Sequence, residues 1–209
     1  MSLVIGIPFS TFTRTICLGL EEKGIAYSLV HAPPHSEEAK KRNPFGKIPS
    51  FVHNDQTIFE SVAIANYINT LETNTNLRPQ GKEWKVDQWM SICSDYIFSS
   101  IEHGVVKPRL KLQQNNTPEH EIVDKITEGV ERMEQVLSIA CDLMQGSFVC
   151  GDTITWGDLF LLPIIADVMA VPEKKHVPPK IVAWYEMMKT RPSFERTRDG
   201  TLEGGGSPP

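Results

Sequence analysis

Residues 43–51 read NPFGKIPSF, and the fold turns on how Pro49 is read. Asn43, Pro44 and Gly46 make a tight turn. Pro49 then stands directly before an apolar β run that opens at Ser50, where a proline removes a ladder donor. One resolution is a trans proline at a strand edge. The other is a cis Ile48–Pro49 peptide, which exposes the Ile48 backbone groups instead of pairing them in a sheet. The residues alone leave both open. Either way a strand begins here. The runs at residues 50–53 and 57–59, with HNDQ between them, read as a β-hairpin.

Upstream of this stretch, residues 2–6 (SLVIG) read as a short buried strand. Residues 11–23 read as a helix, with Ile16, Leu18 and Leu20 among its apolar positions and Gly24 as its stop. Residues 26–30 (AYSLV) read as a second strand. Strand, helix, strand over this length implies a parallel pair with a right-handed crossover. Residues 33–42 are polar, with a short helical piece at SEEAKKR. Downstream, residues 60–71 (ESVAIANYINTL) form a further helix with Val62, Ile64, Ala65 and Ile68 on its apolar side.

After about residue 74 the texture changes. TNTNLRPQG (73–81) is polar with Pro and Gly and reads as a connector, and everything beyond it is helix-patterned. Helices are expected over 82–101, over 118–144 as one long amphipathic element, over 156–168 as a buried apolar one, and over 179–189. The expected division is an α/β domain at 1–76, a linker at 77–81, an all-helical domain at 82–195 and a flexible tail at 196–209, ending TLEGGGSPP.

Composition narrows the function. A chain of 209 residues with 40% hydrophobic and 22% charged residues is ordinary for a globular protein. Net charge is −5, so no bulk basic surface asks for nucleic acid. Runs such as LFLLPII are far too short to span a bilayer, and Pro8 and Ser10 interrupt the N-terminal apolar segment too early for a signal peptide. Cys17, Cys93, Cys141 and Cys150 are scattered with no CxxC or Cys/His spacing, so neither zinc nor a disulfide framework is suggested. An intracellular protein without metal is expected.

Three short motifs carry the chemistry. In GIPFSTFTR (6–14), Ser10 and Thr11 open a helix. They cap it, or they offer a substrate atom a hydroxyl and the positive end of a helix. Glu60-Ser61 stands before an apolar helix, where it either caps the terminus or helps its free amides bind a carboxylate. In GDTITWGDL (151–159), Thr155 as N-cap puts Asp158 at N3, an aspartate capping box, and puts Ile154 against Leu159 as a hydrophobic staple. That motif belongs to folding. Arg14, one turn into the first helix, reads as a structural ion-pair partner, and Cys17 as a core residue.

NPFGKIPSF, FESVAIANYI, GDTITWGDL and WYEMMKTRPSF in this order resemble the cytosolic glutathione S-transferases over nearly the whole chain. GIPFSTFTR is most like the first loop of the phi-type serine transferases. The resemblance implies an α/β thioredoxin-like N-terminal domain plus an all-α C-terminal domain. It implies that Ser10 is the catalytic hydroxyl, with Thr11 as fallback. It implies a cis Pro49, with Ile48 pairing its backbone to the cysteinyl part of glutathione, Glu60 and Ser61 at the γ-glutamyl end, and Lys47 near the glycine carboxylate. His35 resembles a family histidine or lysine, although its spacing to Asn43 is one residue shorter than the phi-type pattern. Phe9, Phe12, His103 and Val106 are candidates to line an electrophile pocket between the domains, or are ordinary core and surface residues. The first loop has no cysteine, unlike omega- and beta-type relatives, which disfavours thiol-transferase chemistry.

The implied activity is conjugation of glutathione, the co-substrate, to hydrophobic electrophiles, with reduction of organic peroxides as a further possibility. No metal takes part. The partners implied are glutathione, an electrophile and a second copy of the chain in a homodimer, in a cytoplasmic detoxification role, with neither membrane nor nucleic acid. Two alternatives remain at this stage. One is a non-catalytic transferase-like module such as that of the elongation factor 1 gamma subunit. The other is a specialised glutathione-dependent isomerase or dehalogenase.

Overall fold

The computed structural model describes residues 2–208. Two compact units can be distinguished. One holds the residues up to Glu83 together with those from Lys189 onward, and the other runs from Trp84 to Met188.

The first unit is built on a four-stranded sheet of order β2-β1-β3-β4. Its elements are β1 (Ser2–Gly6), α1 (Thr11–Lys23), β2 (Ser28–His31), α2 (Glu37–Arg42), β3 (Ser50–His53), β4 (Gln56–Phe59) and α3 (Ser61–Thr70). β1 and β2 run parallel around α1, as a strand-helix-strand unit requires, and β3 and β4 form the expected hairpin, antiparallel to each other. β2 starts two residues later than the sequence suggests. The alternation in AYSLV does not fix the ladder, whereas pairing of Leu3 with Ser28 and Gly6 with His31 does. The central strands are buried on both faces, with Val4, Ile5 and Phe51 almost fully covered. α1 packs closely on β1: a Cβ on Gly6 would stand 2.4 Å from the Thr13 hydroxyl. Gly24 ends α1 in the left-handed region, donating its amide to the carbonyls of Leu20 and Glu21.

The second unit is all-helical. α4 (Glu83–Ile92) leads into two π-helical stretches, Cys93–Ile97 and Ser99–Val106, and then α5 (Lys107–Gln114). The sequence suggests a helix ending at 101. The chain instead stays helical to 114, with the Phe98 amide bonded to the Cys93 carbonyl and the Lys107 amide to that of Glu102. α6 (Glu119–Leu143) crosses this segment backbone to backbone. A Cβ on Gly129 would lie 2.0 Å from the Gly104 oxygen, so Gly129 requires glycine for the crossing, and a Cβ on Gly104 would stand 3.3 Å from the Gly129 Cα. α7 (Trp156–Met169) is the buried central helix, and α8 (Pro179–Lys189) is the last long one. The capping box at the start of α7 is present, as the sequence suggests. Asp158 accepts from the Val149 and Thr155 amides at 2.9 Å each, from the Thr155 hydroxyl at 3.0 Å and from the Trp184 indole at 3.2 Å.

The C-terminal segment departs from expectation. The sequence reads 196–209 as a flexible tail, of which residue 209 lies outside the described residues; after α9 (Pro192–Arg196) the described residues turn through 201–205 and group with the first unit. Arg191 makes a two-toothed pair with Glu22 at 2.6 and 2.7 Å, and Glu203 pairs with the buried Arg14 at 2.6 Å. The glycines that suggested looseness are close-approach positions instead. Side chains at Gly204 and Gly206 would run into the carbonyls of Arg198 and Gly200.

Candidate active site

Strand register collects the sequence motifs at one end of the sheet. Ile5 pairs with Ser50, Ser50 pairs with Phe59, and Gly6 pairs with His31. The last residues of β1, β2 and β4 and the first of β3 therefore lie along one rim. From that rim spring the 7–10 loop into α1, the 32–36 loop into α2, the Ile48-Pro49 entry to β3, and Glu60 at the head of α3. β1 and β4 are two strand spacings apart, about 10 Å. An extended tripeptide spans about the same distance.

Ser10 is the N-cap of α1. Its amide donates to the Ile7 carbonyl at 3.1 Å, and its carbonyl accepts from Arg14 at 2.9 Å. Its side-chain oxygen accepts from the Thr13 amide at 3.3 Å. A hydroxyl has one proton and two lone pairs, so the cap uses one lone pair and leaves the O–H proton for another acceptor. The choice between cap and chemistry is thus no conflict for this oxygen. Ser10 is partly exposed, whereas Thr11 is the buried first residue of the helix.

The Ile48–Pro49 peptide is cis, as the resemblance implies. The β3 ladder begins at Ser50, so Ile48 lies beyond the paired register with β1. Asn43, nearly fully buried, holds the approach: its amide donates to the Lys47 carbonyl at 3.1 Å, and its side-chain oxygen accepts from the Phe45 amide at 3.0 Å. The Asn-Pro turn signalled a bend here, but not that the asparagine side chain would fix the residue ahead of Ile48. Lys47 is exposed at this point of the rim. His35 is exposed as well, with φ +64°, its amide donating to the Gly46 carbonyl at 2.7 Å. This bond ties the 32–36 loop to the turn ahead of Pro49, and Gly46 needs its bare Cα because a Cβ would meet the His35 ring at 2.8 Å.

Glu60 occupies the N-cap position of α3 and Ser61 its first helical position. Glu60 makes no side-chain cap hydrogen bond. It is exposed, and its backbone stands at φ +70°, ψ +118°, an unfavourable region for a residue with a side chain. Strain of this kind at a rim position is a mark of a functional site.

Phe9 and Phe12 are partly exposed residues on either side of Ser10 in the first unit. His103 and Val106 belong to the π-helical stretch of the second unit. His103 is exposed, packs edge-on to Phe98 at 5.2 Å, and has its pKa lowered by desolvation and then by Lys107. Val106 is buried. Three of the thiols are unsuited to nucleophilic work. Burial pushes Cys17 up to about 12 and carries Cys93 well above its ordinary value, and Cys141 is raised for the same leading reason. Among the described residues no group of three or more His, Cys, Asp or Glu could hold a metal ion, and no helix is long and apolar enough to cross a membrane.

Comparison with known proteins agrees with this geometry. A family model described as glutathione S-transferase, N-terminal domain, matches residues 4–76, and one described as glutathione S-transferase, C-terminal domain, matches residues 116–186. Glutathione S-transferase F6 of Arabidopsis thaliana is 31% identical, with 92% of this chain and 97% of that one covered. Glutathione S-transferase 1 of Triticum aestivum is 30% identical over 92% of this chain and 91% of that one. Among solved structures, glutathione transferase F7 from Populus trichocarpa superposes with a TM-score of 0.81 at 28% identity, covering 94% of this chain and 97% of that one. Sheet, helical unit and relatives agree, and the chain belongs to the glutathione S-transferase family.

Proposed function

We propose that this protein is a glutathione transferase that joins the glutathione sulfur to hydrophobic electrophiles. The observation that carries the reading is the register Ile5–Ser50–Phe59, which gathers the α1 N-terminus, Ile48-Pro49 and the α3 N-terminus within the reach of one tripeptide. The nucleophile is the thiolate, and a free thiol with pKa ~8.5 is mostly protonated at neutral pH. Ser10 donates its free O–H to the sulfur while its lone pair caps α1, and the helix end adds a favourable field. A charge-assisted hydrogen bond of about 1.5–3 kcal/mol lowers the thiol by about one to two units. Ser10 is not itself a nucleophile in this reading, because among the described residues no His, Asp or Glu is hydrogen-bonded to its hydroxyl. The Ile48 backbone groups, outside the ladder, pair with the cysteinyl unit. The α3 terminus with Glu60 and Ser61 receives the γ-glutamyl end, and Lys47 and His35 face the glycine carboxylate. Phe9 and Phe12 supply apolar surface beside the sulfur.

We also propose a homodimer acting in the cytoplasm on reactive, potentially toxic compounds. Trp84, Tyr96 and Phe45, each more than three-fifths exposed, support a second copy as cover. The free state of all four cysteines supports a reducing compartment.

The test is turnover of a chloronitrobenzene with glutathione, together with retention on a glutathione column. Turnover with retention is expected. Retention without turnover on any electrophile would instead indicate a binding module, and absence of both would refute the reading.

A further inference from the structure

The C-terminal turn touches the Ser10 loop from behind. Arg14 is one helical turn from Ser10, and its amide closes that turn on the Ser10 carbonyl at 2.9 Å. Its side chain is almost fully buried, and three neighbours among the described residues that hold it come from the end of the chain. Glu203 pairs with it at 2.6 Å, the Thr197 hydroxyl accepts from its Nε at 3.5 Å, and the Phe194 ring lies under the guanidinium at 4.6 Å. A second contact reaches the other side of Ser10. Gly200, at φ +76°, lies so close to Pro8 that a Cβ there would be 2.9 Å from the proline ring.

The turn that makes these contacts is itself specified. Thr201 is buried, its carbonyl accepts from the Gly206 amide at 2.7 Å, and its hydroxyl accepts from the Gly204 amide at 3.2 Å. Gly204 and Gly206 stand where any side chain would strike backbone, and Gly205 has φ +85°. A loose extension needs none of this.

We propose that residues 197–206 form a clasp that holds the loop carrying Ser10 from both flanks, through Gly200 on Pro8 and Glu203 on Arg14, with Arg14 as a positioning residue for the Ser10 hydroxyl. The proposal rests on the transferase reading above. Arg14 and Glu203 touch no substrate. They fix the turn whose first residue points its hydroxyl at the sulfur. A misplacement of about 1 Å at a reacting centre costs up to about a hundredfold in rate, so a loosened cap shows itself in chemistry before it shows itself in folding.

The experiment compares wild type with a chain ended after Arg198, with Glu203→Gln, and with Gly200→Val, which breaks the Pro8 contact and leaves every charge in place. The readout is the titration of glutathione thiolate absorbance in the bound complex, beside kcat and KM for conjugation. We expect the truncated chain and Gly200→Val to move the thiolate titration upward and lower kcat roughly tenfold at neutral pH, with KM for glutathione little changed. Glu203→Gln gives a smaller loss, because the uncovered Arg14 charge partly favours the anion. If wild type forms bound thiolate and the variants titrate with it, losing only thermal stability, the segment is a structural appendage and the inference fails. If wild type forms no bound thiolate, the transferase reading falls first and takes the clasp with it. Should the truncated chain not fold, the two point variants report the same quantities.

Discussion

Ser10→Ala separates the two uses of one oxygen. The cap bond from Thr13 is 3.3 Å, at the long end for an N–H donor, so its loss costs about 0.5–1 kcal/mol. For a chain of this size that is a fall of about 1–4 °C in Tm. The proposed bond to the thiolate is charge-assisted and worth about 1.5–3 kcal/mol, or about one to two pK units. Below the lowered pKa of the bound thiol, the variant therefore holds about 10–100-fold less thiolate, and kcat/KM falls with it; between that pKa and the thiol's own ~8.5 the difference narrows. Above pH ~9 glutathione ionises unaided, and the two proteins converge. The assay is kcat/KM for a chloronitrobenzene from pH about 5.5 to about 9.5, with Ser10→Thr, which keeps cap and donor, as the conservative companion and Thr11→Ala as the fallback control. Undiminished activity in Ser10→Ala would refute the role. So would a loss of equal size at every pH, because that would mean a damaged fold and not a lost donor.

Three further outcomes follow from other residues. Glu60→Ala weakens glutathione binding by calorimetry but leaves the denaturation midpoint within about 0.5 kcal/mol of wild type, since the exposed Glu60 side chain makes no cap bond; a large stability loss with unchanged binding would make Glu60 purely structural. Asp158→Ala strands two amides and an indole in a buried site and costs about 3–5 kcal/mol in urea unfolding. In the wild type, burial pushes the Asp158 carboxyl from 3.8 up to about 6, so the folded state binds that proton more tightly than the unfolded chain does. The part of stability linked to that proton, roughly 3 kcal/mol, is complete below pH about 4 and is lost as pH rises through about 6, while the hydrogen bonds to the carboxyl remain; the alanine variant lacks this dependence, which urea titrations across this window measure. Finally, an alkylating reagent at neutral pH modifies Cys141, which is partly exposed, well before Cys17, which burial holds at about 12; early modification of Cys17 would show the helix to open more readily than its packing allows.

Local signals were legible where local chemistry settles the structure. The Thr155–Asp158 box needs only four consecutive residues, and its helix starts where they say. Gly24 likewise ends α1. The identity of the Ile48–Pro49 isomer was not readable from its own neighbours, because both isomers suit a turn before a strand, and it was the resemblance that pointed to cis. The gathering of Ser10, Ile48 and Glu60 depends on register between strands some fifty residues apart, which no short window contains. The π-helical stretch 93–106 has no composition of its own; it accompanies the close crossing at Gly104 and Gly129, a property of two helices together. The close approaches at Gly204 and Gly206 were not legible, because glycine serves looseness and tight approach alike and only the neighbouring carbonyls decide which.

The rim at the end of the sheet is made largely of main chain: amides at two helix ends, the peptide before Pro49, and a backbone bent at Glu60. Main chain has no letter of its own. Such a rim tolerates drift in spelling so long as the bends survive. Natural variation in this lineage should therefore be richest in what the side chains offer the electrophile, and poorest at the few positions, such as Gly6, Gly46 and Pro49, whose letters are dictated by the path of the backbone.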